Sequence, residues 1–138
     1  MPLFEKGKFD GVTDVTNRGW VVGHMAEGLL HTNDVEVKWA DERRGDAGMK
    51  QWRRCKADKP GRTVSVLVRG RFRMEFRKEG EPEETVIMEE PGSYVVFEHG
   101  VEHRSEALED SLFLTIRWPS IKDNCYVIDE LQKAPSNQ

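Results

Sequence analysis

The stretch Thr63 to Phe76 constrains this chain most, because Val64, Val66, Val68, Phe72, Met74 and Phe76 alternate there with Thr63, Ser65, Arg69, Arg71, Arg73 and Glu75. A period of two sends successive side chains to opposite faces of an extended strand. Gly70 stands in the middle, where a missing side chain permits a bend or the close approach of another backbone. A long strand bent at glycine suits a barrel.

Further strands are predicted at Trp20 to His24, Val35 to Trp39, Thr85 to Met88, Tyr94 to Phe97 and Ser111 to Trp118, most of them rich in β-branched or aromatic residues. Glu79-Gly80-Glu81-Pro82 and Glu90-Pro91-Gly92-Ser93 supply turns, since proline presets φ and glycine accepts positive φ. Many short strands without intervening helices point to an all-β sandwich or barrel. Ile121 to Lys133 allows a short C-terminal helix. Asp41 to Arg62 is charged and weakly periodic, and reads as a long loop and a lid candidate.

At 138 residues the chain fits one domain, with the barrel spanning roughly 20–118. A net charge of −4 with 33% charged residues disfavours nucleic-acid binding. The charged start, Met1 to Gly11, lacks an apolar run of signal-peptide length, and no stretch approaches the roughly 20 apolar residues of a spanning helix, so a cytoplasmic protein without membrane contact is expected. Cys55 and Cys125 are far apart and read as reduced thiols.

Gly92-Ser-Tyr-Val-Val-Phe-Glu98-His99-Gly100-Val-Glu-His103 resembles the second conserved motif of the cupin superfamily, which runs Gly, five residues, Pro-x-Gly, two residues, His. Both glycines and His103 match, whereas Glu98 replaces the proline and Ala107 stands where the motif has Asn. The first cupin motif can be anchored on Gly70, which puts Thr63 in the place of its Glu and Lys56 with Asp58, or Ala57 with Lys59, in the place of its histidines. The segments His31 to Trp39 and Arg117-Trp118-Pro119-Ser120 are also similar to small bacterial cupin-like proteins. The resemblance implies a cupin-type jelly-roll β-barrel whose first motif is degenerate.

Family metal sites use three histidines and a carboxylate, and only His103 survives here by position. The resemblance therefore implies a barrel that binds a small polar or anionic ligand with no metal and no other cofactor. The expected ligand-binding residues are His103, His31, Thr63, Ser65, Arg69 and Arg71, the arginines as bidentate partners for a carboxylate or phosphate. The alternative is a metal-dependent cupin oxygenase or isomerase with rearranged ligands such as His103 and His31. His99, Glu98 and Glu102 read as turn and loop residues, the glutamates gaining acid-base potential only if buried. A homodimer is expected, because an open sheet leaves strand edges to cover.

Overall fold

The computed structural model describes residues 3–9, 18–45 and 51–128. Ten strands are formed there: β1 (Trp20–Val22), β2 (Glu36–Glu42), β3 (Arg53–Cys55), β4 (Arg62–Arg69), β5 (Phe72–Arg77), β6 (Glu84–Met88), β7 (Tyr94–Glu98), β8 (Glu102–Ala107), β9 (Ser111–Trp118) and β10 (Cys125–Val127). They build two five-stranded antiparallel sheets, ordered β1-β2-β9-β4-β7 and β10-β3-β8-β5-β6. This is the jelly-roll arrangement, and among the described residues it contains no α-helix.

The continuous alternation from Thr63 to Phe76 is not one bent strand. It is two strands, β4 and β5, that belong to different sheets and meet at Gly70. Gly70 takes φ of 99°, a left-handed conformation that a side chain resists. A Cβ there would also lie within 2.6 Å of the Asp110 carbonyl oxygen. The corner changes the parity of the inward face. Thr63, Ser65 and Leu67 point between the sheets on β4, whereas Phe72 and Met74 do so on β5. The valines of β4 face outward.

Inward positions along each long strand run from polar to apolar. Thr63 and Ser65 precede Leu67 on β4, and on antiparallel β9 Arg117 and Thr115 lie at the same end while Phe113 reaches the other. Ala40, Leu67, Phe72, Met74, Met88 and Phe113 form the core there, with Phe72 and Phe113 stacked at 4.4 Å. The opposite end of the inter-sheet space is left to polar groups.

β8 reads as charged and turn-like in sequence, yet it is a central strand. Its register against β5 sets Glu102 opposite Arg77, Arg104 opposite Glu75 and Glu106 opposite Arg73, and each pair forms a salt bridge. Cross-strand pairing of opposite charges stabilises a ladder that intrinsic propensity would not predict. Trp52, buried beside it, packs under the Arg77 and Arg104 guanidinium groups at 4.1 and 4.4 Å.

Two other expectations are corrected. The predicted loop Asp41 to Arg62 includes the end of β2 and all of β3, and the predicted helix from Ile121 contains strand β10; its residues 129–133 lie outside the described ones. Cys55 and Cys125 are joined as a disulfide rather than held as separate thiols, because β10 folds back on β3 with these two positions in direct register. A separation of 70 residues in sequence concealed that contact.

Gly70→Ala is expected to destabilise the protein by about 2–3 kcal/mol, through left-handed strain and the clash at Asp110 and Ser111. Urea unfolding measures this; an unchanged midpoint would remove Gly70 as the corner that sets parity.

Candidate functional site

The polar end of the inter-sheet space encloses a cavity of about 310 Å³, within the range of small-molecule sites. His103 on β8, Thr63 and Ser65 on β4, Thr115 and Arg117 on β9, Lys38 on β2 and Arg53 on β3 contribute its polar walls, with Phe97, Met74 and Phe113 on the apolar side.

Arg117 organises the wall. Its Nη1 donates to Glu36 Oε2 at 3.0 Å and its Nε to Thr63 Oγ1 at 3.1 Å, while the guanidinium lies 4.8 Å from the Trp20 ring. Glu36 and Arg117 face each other directly across β2 and β9. The second carboxylate oxygen of Glu36 accepts from Ser120 Oγ at 2.9 Å, and Ser120 Oγ is in turn 2.7 Å from His24 Nδ1. Ser65 and Thr115 share a hydroxyl hydrogen bond at 3.3 Å.

The charge around the cavity is unbalanced. Arg18, Lys38, Arg53, Arg104 and Arg117 line it; Glu36 pairs with Arg117, Glu75 with Arg104, and Glu42 lies on the wall. Among the described residues basic side chains outnumber these carboxylates by two. The imbalance acts on neighbouring groups. Burial, and then the Arg117 charge, push the His103 pKa down to about 3, so its imidazole is neutral at physiological pH. Its Nδ1 lies 3.4 Å from the Val101 carbonyl, which favours the Nδ1–H tautomer and leaves Nε2 an acceptor. Burial lowers the Lys38 pKa; Glu42 opposes it more than any one arginine assists, and Arg53, Arg18 and Arg117 add to the lowering.

The sequence-predicted residues divide cleanly. His103, Thr63 and Ser65 meet in the cavity. His31 does not: it follows the short 3₁₀ turn Gly28–Leu30, is exposed, and contacts the Ala26 carbonyl. Arg69 is exposed, and Arg71 pairs with Glu89 at 3.2 Å outside the barrel. Both lie beyond Leu67 on the outward side of the Gly70 corner. His99 is bound to the 59–61 loop, Glu98 is exposed beside Arg62, and Glu102 is buried but paired with Arg77 on the far face of β8.

The sequence reading missed Lys38, Arg53, Arg117 and Glu36. For Glu36 and Lys38 the available signal was the alternation within Glu36-Val-Lys-Trp-Ala-Asp-Glu42, where they share one parity with Ala40 and Glu42 against Val37 and Trp39.

A metal centre of the cupin kind does not fit this chemistry. Lys56, Ala57, Asp58 and Lys59 are all exposed, and no group of three His, Cys, Asp or Glu converges among the described residues. His103, the one donor retained by motif, instead neighbours Arg117, Arg53 and Lys38, whose charges would oppose a divalent cation.

No protein-family model and no curated protein matches the chain. Solved structures do. KdgF from Halomonas sp. superposes with a TM-score of 0.54 at 28% identity, over 67% of this chain and 77% of that one. Oxalate decarboxylase from Bacillus subtilis gives 0.58 at 12% identity, over 74% of this chain but only 26% of that one. The dTDP-4-dehydrorhamnose 3,5-epimerase from Sulfolobus tokodaii gives 0.55 at 17% identity, over 70% and 59%. These neighbours share the cupin fold, and the two sheets described above are that fold. The chain is a small cupin-like protein.

A pH dependence follows from His103. Its folded pKa of about 3 lies below the ordinary 6.5, so the unfolded chain binds the extra proton between those values. This contribution to stability is intact above pH 6.5 and is lost as pH falls toward 3, with a slope of up to about 1.4 kcal/mol per pH unit. Urea melts at pH 7 and pH 5 should show His103→Gln losing less stability than wild type; equal losses would contradict the buried neutral imidazole.

Proposed function

We propose that the barrel cavity binds a small anionic ligand without a metal, its carboxylate or phosphate held by Arg53 and Arg18 beside the Arg117–Thr63 pair. The excess of basic side chains around a partly open cavity with one polar wall carries this reading. Arg117 is already paired with Glu36, which leaves the remaining cations to meet the ligand. At an effective dielectric near 20, a charge pair about 4 Å apart gains about 4 kcal/mol before desolvation, enough to select an anion over a neutral isostere. Thr63, Ser65 and the His103 Nε2 acceptor would orient hydroxyl groups of the same molecule.

The expected result is that succinate or inorganic phosphate changes the fluorescence of Trp20, the cavity-lining tryptophan, and that Arg53→Met weakens binding about tenfold, one lost charge-assisted hydrogen bond. His103→Ala should also weaken it while the fold persists. Wild-type protein that responds to neither anion in isothermal titration would defeat the proposal.

We further propose that two copies pair through the outer face of the first sheet. Val68, Tyr94 and Val96 are exposed there beside half-buried Val64 and Val66, an apolar patch continuous across β4 and the edge strand β7. Light scattering should give about twice the 15.9 kDa chain mass, and Tyr94→Glu with Val96→Lys should halve it. A wild-type mass of one chain would dispose of the pairing.

Among the described residues no helix is long and apolar enough to cross a membrane.

A further inference from the structure

Lys38 has a chemistry that simple anion binding leaves unused. It projects inward from β2, in register with Thr115 of β9 and Trp20 of β1, so its amine end belongs to the cavity rather than to solvent outside the barrel. The charged groups facing it are Arg18, Arg53 of β3, Arg117 of β9 and Glu42 farther along β2, with His103 of β8 also within electrostatic reach. A lysine among guanidinium groups is a poor choice if only positive charge were required, because arginine holds charge better at such a place. Desolvation beside other cations converts an ammonium to the free amine, the form that attacks carbonyl carbon.

We propose that Lys38 is a nucleophilic amine that condenses with the carbonyl group of a small oxo acid, whose carboxylate is held by Arg53 and Arg18. This deepens the anion-binding reading and rests on it. The Nζ lone pair forms a bond to the carbonyl carbon as the C=O π pair moves to oxygen, and the nitrogen gives up a proton as that oxygen takes one, leaving a neutral carbinolamine. Transfer of a second proton to that hydroxyl releases water, and the nitrogen lone pair closes the C=N bond, so one amine, one carbonyl and one proton give one iminium and one water. Glu42, the carboxyl group that acts most strongly on Lys38, is placed to supply and recover that proton. The neutral His103 cannot serve as the acid, although its Nε2 can accept from the carbinolamine hydroxyl. No oxidant or further reactant is needed.

Lys38 falls with the lowered-pKa amines, so imine formation should reach its plateau at lower pH than on an ordinary lysine. The test uses pyruvate, with lactate as the matched anion lacking the carbonyl, and sodium borohydride to reduce any imine to a stable secondary amine. Intact mass should show one reduced adduct per chain with pyruvate and none with lactate, and lactate should compete. Peptide mapping at pH 7 should place the adduct on Lys38 in preference to exposed Lys56 and Lys59. Lys38→Arg should lose the adduct yet still bind lactate by tryptophan fluorescence. Adduct spread evenly over surface lysines, or retained in Lys38→Arg, would overturn the inference. Lactate binding with no adduct on Lys38 would overturn it while leaving the anion site standing; binding of neither anion would remove both. Should Lys38→Arg fold poorly, the wild-type peptide map decides alone.

Discussion

The buried Glu36–Arg117 pair is the constraint on which the cavity depends. It faces across β2 and β9 at the point where the inward positions turn polar, and it is satisfied on both sides, by Thr63 from β4 and by Ser120 beyond β9. A buried ion pair is weak evidence for stability, because desolvating both charges offsets most of their attraction. Its effect here is geometric. Held by Glu36 and Thr63, Arg117 cannot swing to neutralise a ligand alone, and its charge instead sets the potential felt by His103, Arg53 and Lys38.

Arg53 is the least firmly anchored member of that group. Its strand β3 meets β8 through one register pair, Arg53 opposite His103, with Gly100 N–H donating to the Cys55 carbonyl and Arg54 near Glu102, and is further held through β10 and the Cys55–Cys125 disulfide. The covalent link therefore does more than restrain the unfolded chain; it keeps a cationic side chain on the cavity wall that sheet pairing alone would hold loosely.

The strands of the long alternating segments were legible in the sequence because period two is a local property. Ser111–Trp118 is predicted with its observed bounds, and the strands near Glu36, Glu84 and Tyr94 within a few residues. The face each strand presents was not legible. Apolar Val64, Val66 and Val68 suggest the inner side, yet they lie outside while Thr63 and Ser65 line the cavity, and the parity then switches at Gly70 so that Arg69 and Arg71 leave the site. His103 and Thr63 were found because the motif spacing fixes position without knowledge of parity. Lys38, Arg53 and Arg117 required the register of three strands separated by many residues, and strand β8 required knowing that β5 answers each of its charges.

The division of the barrel into an apolar and a polar end also decides where stability and function reside. Leu67, Phe72, Met74, Met88 and Phe113 bury their side chains at one end, each worth roughly 1.5–3 kcal/mol of transfer free energy, and need no partner beyond packing. At the other end Thr63, Ser65 and Thr115 occupy equally inward positions without that gain. Replacing them with valine or leucine would fill the cavity and extend the apolar core. Retaining hydroxyls and unbalanced cations there weakens the fold relative to that alternative, a cost typical of binding sites rather than of structural cores. The same reasoning separates the two outer faces. The β5–β8 face answers every charge it carries across the ladder and so has no electrostatic demand for a partner, whereas the valine-bearing face of β4 leaves apolar surface that water stabilises poorly. Burial on that side can proceed without disturbing the cavity, because the side chains that would be covered alternate with those that line it.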